Sequence, residues 1–311
     1  MSSWFLETSE SSLQAAGLAE QVTLLKARIE EDDRYALKPF VAGPSTVCTY
    51  CVREKKENRV VKGDKVSLTL DTETIPQFVW PAAAPFAEWI VRNPERFRGL
   101  HVLELGSGVG LAGLAAASVG AKSVTLTDCS AVSLAMIGIG IQHTAKTLID
   151  RRDGCNHLYG AELKWGSAPT VHRLVQALDR RMDPTDESAT NKDGFAFDVV
   201  IGCDIFYFNT SLKSGLTTAA AALRGDTAAP LGEKSSLPST KSPKTFYCAS
   251  FVRSERMDVD IEALPQLHGF NTKVLEDCIL GSHAGKVGRE GQEDATDEES
   301  KALRLYEWTL V

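Results

Sequence analysis

The sequence has few features of a secreted or membrane-bound protein. Its seven cysteines are odd in number and follow no disulfide-framework spacing, so we expect them to be reduced. The longest largely apolar stretch, Ala131 to Ile141, is shorter than the about 20 residues that cross a bilayer. The opening residues MSSWFLETSESS lack the basic and apolar segments of a signal peptide. We therefore expect a soluble protein without a membrane partner, located in the cytoplasm and also in the nucleus.

An excess of positive charge is also missing. The formal net charge is −7 and the pI is about 5.5, whereas nonspecific nucleic-acid binding depends on clustered Lys and Arg. A nucleic-acid partner is thus unexpected, and a basic protein partner is easier to accommodate. Cys48 and Cys51 form a CxxC, but no second pair or nearby His completes a four-ligand zinc site. We expect a strand there and no metal.

The composition predicts a folded chain with one large domain. Hydrophobic residues make up 43% and charged residues 24%, which is ordinary for a globular protein. We divide the chain into an extension over residues 1–76 and a domain over 77–311, and expect it to be a monomer. Three polar or charged stretches in the domain are predicted to be surface insertions: 181–194, 225–244 and 285–300.

The elements follow an alternating order. In the extension, Glu20 to Tyr35 has helical spacing, and Val47–Val52 and Lys65–Leu70 are predicted to pair as strands. From Leu100 onward, buried strands alternate with helices, which is typical of a parallel sheet covered by helices. The last two strands, NTKVLEDCIL and ALRLYEWTLV, lie close in sequence and are predicted to form an antiparallel pair.

The glycine-rich segment VLELGSGVGLAGLAAA carries the strongest chemical prediction. A buried strand ends at Glu104 and Leu105, and the chain then turns through Gly106, Ser107, Gly108 and Gly110 into a helix. Glycines allow a ligand to approach the backbone at the positive end of a helix. Leu111 occupies the third glycine position of a dinucleotide fingerprint, so that interpretation fails. The ExGxGxG pattern instead resembles the first motif of seven-strand methyltransferases.

Asp128 ends the next strand, about 20 residues after the glycine loop. In open α/β folds a carboxylate at this place accepts hydrogen bonds from ribose hydroxyls. A purely structural alternative is that Asp128 caps the following helix.

Further motifs make the resemblance specific. QFVWPAA, ELGSGVG, TD, LKWG and DIFY occur in the order and spacing of the family 16 protein methyltransferases, which include many non-SET lysine methyltransferases. The resemblance covers about Gln77 to Phe208 by motif. It implies a Rossmann-like, seven-stranded class I methyltransferase sheet, mostly parallel with an antiparallel C-terminal strand, preceded here by a helix and a β-hairpin.

The resemblance also implies a cofactor, S-adenosylmethionine, and a protein substrate that carries a lysine. It places the cofactor contacts at Trp80, Glu104, Gly106, Ser107, Gly108, Asp128, Trp165 and Cys203. At Cys203 we expect a backbone contact rather than thiol chemistry. Trp80 and Trp165 are also readily explained as core aromatics.

Asp204 and Tyr207 match the ends of the DxxY motif, and the resemblance implies that they act on the acceptor. Asp204 is expected to attract the lysine ammonium, and Tyr207 to line its channel or hydrogen-bond the amine. Two alternatives stay open: another acceptor, such as histidine, an N-terminal amine or a small molecule, and a noncatalytic binding module that keeps the fold.

Overall fold

The computed structural model describes residues 5–6, 12–42, 45–52, 77–148, 155, 157–182, 196–206, 209–225, 244–251, 255–275 and 303–311. Its strands are β1 Phe5–Leu6, β2 Tyr35–Ala42, β3 Ser45–Val52, β4 His101–Leu105, β5 Ser123–Asp128, β6 His157–Glu162, β7 Val199–Cys203, β8 Thr245–Phe251, β9 Phe270–Val274 and β10 Leu303–Leu310. Its helices are α1 Ser12–Glu31, α2 Ala83–Arg92, α3 Leu111–Ser118, α4 Ala131–Leu148, α5 Ala168–Met182, α6 Asn209–Arg224 and α7 Glu255–Leu267, with a 3-10 turn at Pro94–Arg96.

One large sheet forms the centre of the fold. Its strands lie in the order β1-β6-β5-β4-β7-β8-β10-β9, and β10 runs antiparallel to both β8 and β9. The other pairings in this sheet are parallel. This confirms the predicted mostly parallel sheet with an antiparallel C-terminal strand. The two residues of β1 add an eighth strand at one edge, which the sequence patterns did not indicate.

The central strands are buried because helices cover both faces of the sheet. Along β4, Val102 belongs to the core under α2, α3 and α4, whereas Leu103 and Leu105 belong to the core under α5 and α6. Successive side chains of a strand point to opposite faces, so a strand covered on both sides must be apolar throughout. The run HVLEL follows this rule except at the half-buried His101 and at Glu104.

The N-terminal helix and hairpin pack on the side of the sheet that carries α3 and α4. The predicted helix over Glu20 to Tyr35 is wrong at its ends, since α1 covers Ser12–Glu31 and Tyr35 begins β2. Arg34 binds the Asp32 carboxylate through its own backbone N–H and its guanidinium, which marks the turn after the helix. The predicted strand Val47–Val52 lies in β3. It pairs antiparallel with β2, so that Tyr35 lies opposite Val52. Its predicted partner, Lys65–Leu70, lies outside the described residues.

The three predicted insertions fall largely or wholly outside the described residues, and the boundary at residue 76 stays a prediction. Within the described part of the chain, no helix combines the length and apolar character needed to cross a membrane.

Candidate cofactor and acceptor site

A cavity of about 350 Å³ opens at the carboxyl ends of β4, β5 and β7. Parallel α/β sheets bind ligands at this edge, beside the point where the strand order reverses. All eight residues expected to contact the cofactor line this cavity, and so does Asp204. The lining consists of Phe78, Trp80, Ala83, Glu104, Gly106, Ser107, Gly108, Val109, Leu111, Ala112, Asp128, Cys129, Ser130, Trp165, Cys203, Asp204 and Ile205.

The glycine loop after β4 needs glycine for two physical reasons. Gly106, Gly108 and Gly110 all have φ between +53° and +78°, a region that side chains with a Cβ rarely adopt. A Cβ on Gly106 would also lie 2.9 Å from Ile205 Cγ2 and 3.2 Å from a ring carbon of Trp165. Gly106 therefore allows the loop to pack against two other residues of the cavity wall.

Asp128 holds this loop in place. Its Oδ2 accepts the backbone N–H of Gly108 at 3.0 Å, and its Oδ1 accepts the backbone N–H of Ser130 at 3.0 Å. The residue in the cap position of α4 is Ser130, whose Oγ accepts the N–H of Ser133 at 3.4 Å, so Asp128 does not occupy that position itself. Burial raises the pKa of Asp128, while these N–H donors oppose the rise. A carboxylate has about four lone-pair sites, so the same group can also accept a ligand hydroxyl.

Glu104 lies beneath the loop. Its Oε2 accepts the N–H of Gly113 in α3 at 3.1 Å, and a Cβ on Gly113 would lie only 2.5 Å from that oxygen. Burial, with a smaller contribution from the charge of Asp128, raises the pKa of Glu104 to about 8. Glu104 thus supports the start of α3 as well as lining the cavity.

Asp204 has an unusual backbone. It is the one described non-glycine residue with a positive φ, at +53°, and it is 2% exposed. Its N–H donates to the carbonyl of Ala249 in β8 at 2.7 Å. Strained non-glycine residues of this kind cost about 1–3 kcal/mol and cluster at functional sites. The turn thus places a buried carboxyl group at the end of β7, among the residues that line the cavity.

Phe206, two residues after Asp204, is buried among aromatic rings and stabilises the turn. Its ring packs against Trp165, Phe246 and Trp308 at centroid distances of 6.2 to 6.3 Å. Tyr207, the other end of the DxxY motif, lies outside the described residues, and its role stays a prediction.

The two predicted tryptophans are both half-buried and both line the cavity. The turn after Trp165 is fixed because the Gly166 N–H donates to Thr218 Oγ1 of α6 at 2.9 Å. Trp80 lies just before α2, where its carbonyl accepts the N–H of Ala83 at 2.9 Å. Neither tryptophan is a fully enclosed core residue.

Cys203 is not placed for thiol chemistry. Burial, and then the negative charges of Asp204 and Glu104, raise the pKa of its thiol well above the usual range. The thiol therefore stays protonated and weakly nucleophilic, in line with the expectation of a backbone contact there.

Several residues that organise the site were missed in the sequence. Ser133 is fully buried in α4 and donates its hydroxyl to the carbonyl of Gly108 at 2.8 Å. Phe78, 38% exposed, supplies an aromatic ring to the cavity lining. A lone serine in the apolar run AVSLAMIGIG was a detectable signal for the first, and Ile205 lies within the DIFY motif, whereas Thr218 carried no signal.

Four features of the sheet and the cavity identify this domain. The strand order, the glycine loop after β4, the carboxylate after β5 and the cavity between them characterise the class I, S-adenosylmethionine-dependent methyltransferase domain. Residues 63–169 match the model of methyltransferase family 16, described as "Lysine methyltransferase". The resemblance inferred from the motifs is thereby confirmed.

Individual proteins that are similar to this chain match it at modest sequence identity. The human protein-lysine N-methyltransferase EEF2KMT is 30% identical over 161 residues, which are 49% of this chain and 42% of that protein. Mouse protein-lysine methyltransferase METTL21E is 24% identical over 66% of this chain and 75% of its own length. The Schizosaccharomyces pombe protein N-terminal and lysine N-methyltransferase efm7 is 24% identical over 48% of this chain and 51% of its own. The alignment to EEF2KMT thus spans less than half the length of that relative.

Proposed function

We propose that this protein transfers a methyl group from S-adenosylmethionine to a lysine side-chain amine of a protein substrate. The observation that carries the proposal is the placement of Asp204. Its carboxyl group is buried at the end of β7, on a strained backbone, in a cavity that it shares with the glycine loop. A site that only bound a cofactor would have no evident need for that strain.

The cavity has the chemistry that the cofactor requires. Carboxyl groups from the ends of three adjacent strands, Glu104, Asp128 and Asp204, line the cavity. A ligand with a positively charged sulfur and an ammonium group would favour their ionised forms. Aromatic rings from Phe78, Trp80 and Trp165 suit a planar base. When bound, the cofactor would supply an electrophilic methyl group on that sulfur. A neutral amine would attack the methyl carbon, and the carbon–sulfur bond would break to release the thioether S-adenosylhomocysteine.

The protein's main task is then to hold the acceptor nitrogen in line with the methyl carbon and the sulfur of the cofactor. A lysine amine has a reference pKa of about 10.4, so at neutral pH its lone pair is occupied by a proton. Removal of the ammonium from water, next to another positive charge, lowers that pKa. The proton leaves to water before the nitrogen attacks.

Asp204 acts in this scheme by binding and orienting the ammonium. A carboxylate beside an amine also stabilises its protonated form, which opposes deprotonation. Its contribution is therefore positioning of the acceptor rather than service as a general base. Tyr207 would complete the acceptor channel, as the DxxY resemblance implies.

The class of substrate is supported by the match to the lysine methyltransferase family and by the relatives. The net charge of −7 favours a basic protein partner over nucleic acid. An N-terminal amine is a second candidate acceptor, because efm7 is named for both activities. Both acceptors are amines that must lose a proton before they attack. They differ in the shape of the channel that would admit them.

The test is transfer of labelled methyl groups to a cell extract. Purified protein is incubated with extract and tritiated S-adenosylmethionine, and mass spectrometry then locates the methylated residue in each labelled protein. Asp204→Asn protein serves as the matched control. Methyl-lysine that depends on active protein supports the proposal, and methylation of only N-termini, histidines or small molecules contradicts the lysine assignment. Cofactor binding with no transfer to any acceptor would indicate a noncatalytic module.

A further inference from the structure

The N-terminal hairpin is built into the same core as the glycine loop. The side chains of Val47, Thr49 and Cys51 alternate along β3 onto one face and are all buried. Val47 and Cys51 belong to the hydrophobic core that also contains Leu111 and Leu114 of α3. The hairpin is therefore part of the structure around the cavity.

One polar contact joins this face to the cavity wall. Thr49, with 0% exposure, donates its hydroxyl to the backbone carbonyl of Val109, across 60 residues of sequence. Val109 lies between Gly108 and Gly110, which both have positive φ, and it lines the cavity. A buried carbonyl in an irregular loop has no strand or helix partner, so a side-chain donor fixes its direction.

A second contact joins the hairpin to another part of the lining. The hydroxyl of Tyr35, the first residue of β2, donates to Gln77 Oε1 at 2.8 Å. Gln77 begins the short segment that continues through Phe78 to Trp80, both of which line the cavity. The hairpin thus holds two separate wall segments that lie far apart in sequence.

We propose that the β2–β3 hairpin organises the cofactor cavity, with Thr49 as the positioning residue for the glycine loop and Tyr35 for the segment Gln77–Trp80. The proposal rests on the proposed function only in assuming that this cavity receives S-adenosylmethionine. Thr49 acts through Val109 and Tyr35 through Gln77, and neither residue lines the cavity itself. The extension would then be required for cofactor affinity, whatever the acceptor.

The experiment compares two variants. Thr49→Val removes the hydroxyl at nearly constant volume, and Thr49→Ser keeps the hydroxyl. Hydrogen exchange of the ligand-free proteins reports the order of the loop 106–111, and calorimetry with S-adenosylhomocysteine reports affinity. Thr49→Val should exchange faster in the loop and bind about fivefold to tenfold more weakly, the range expected for one hydrogen bond. Thr49→Ser should retain most of the exchange protection of the loop and most of the affinity. Tyr35→Phe should raise exchange around Gln77–Trp80 and weaken binding independently.

Thr23→Val is the matched control, because Thr23 makes a similar hydroxyl contact to the Ala19 carbonyl within α1, on an exposed surface. It should leave loop exchange and affinity as in the wild type. Wild-type affinity in folded Thr49→Val and Tyr35→Phe proteins would overturn the proposal, and so would equal losses in Thr49→Val and Thr49→Ser. Failure of the wild type to bind S-adenosylhomocysteine would instead count against the proposed function.

Discussion

Asp128 Oδ2 accepts the backbone N–H of Gly108 at 3.0 Å, which joins the end of β5 to the glycine loop across 20 residues of sequence. The same carboxylate binds the N–H of Ser130 through Oδ1. Asp128 is therefore placed both to shape the loop and to present its remaining lone pairs to the cavity.

Asp128→Ala should weaken S-adenosylhomocysteine binding by at least about tenfold, because hydrogen bonds to charged groups contribute about 1.5–3 kcal/mol. Asp128→Asn keeps one acceptor oxygen and should lose less. Isothermal calorimetry measures the affinity, and thermal unfolding measures stability. Asn93→Ala is a suitable control, since it removes a side-chain contact to the Trp89 carbonyl at the end of α2. If Asp128→Ala only lowers Tm and keeps wild-type affinity, its role is structural.

Gly106→Ala should impair cofactor binding more than it impairs folding. Its Cβ would push against Ile205 and Trp165, at 2.9 and 3.2 Å. Gly99→Ala provides the matched comparison, because Gly99 has a similar φ of +74° but a Cβ added there would have no neighbouring atom within 4 Å. Both variants carry the left-handed backbone penalty of about 1–2 kcal/mol. Only Gly106→Ala should lose affinity, and similar affinities in the two proteins would contradict the proposed wall contact.

Asp204→Asn should reduce methyl transfer by about 100-fold, equivalent to roughly 2.7 kcal/mol of transition-state stabilisation. Asparagine tolerates the left-handed backbone about as well as aspartate, so the turn should survive. Cofactor affinity should change much less than transfer. Single-turnover methylation of an identified substrate and direct cofactor titration separate the two effects. Near-normal transfer would remove Asp204 from the acceptor site, and lost cofactor binding would place it in the cofactor subsite.

Glu104 should make the stability of the ligand-free protein fall as pH rises. Its pKa is raised from 4.5 to about 8 in the folded state. The unfolded chain therefore loses this proton first, and stability present below pH 4.5 is lost progressively up to about pH 8. Glu104→Gln stays neutral and can still accept the Gly113 N–H. Urea unfolding at several pH values should show that the free energy of unfolding of Glu104→Gln rises relative to that of the wild type as pH increases across this window.

The exposed Glu88→Gln change controls for a general charge effect, since Glu88 forms only an i,i+4 ion pair with Arg92 among the contacts described for it. It should not alter the pH dependence of stability. A constant difference in unfolding free energy between wild type and Glu104→Gln from about pH 5 to about pH 8 would show that Glu104 is already ionised in the folded protein.

The hairpin shows where local patterns were insufficient. Val47–Val52 has the composition of a strand, and β3 confirms it, but composition does not specify a strand's partner. The described partner is β2, which begins at Tyr35, the residue where the helical spacing predicts the end of a helix. Tyr35 has weak helix propensity and is a residue type enriched in strands, but the helical spacing extends to it, so tertiary pairing decided its conformation.

The class of fold and the composition of the site follow from the amino-acid sequence. Buried runs alternating with helices require a parallel sheet, and residues at the carboxyl ends of its strands must meet at one edge. Glu104, Asp128 and Asp204 could therefore be placed together from their positions in the chain. How these residues are held depends on the tertiary fold, through the Asp128 bond to Gly108, the left-handed turn at Asp204 and the Thr49 contact to Val109. The two hydrogen bonds join groups that lie 20 and 60 residues apart, and no local periodicity records which distant partner a buried polar group will find.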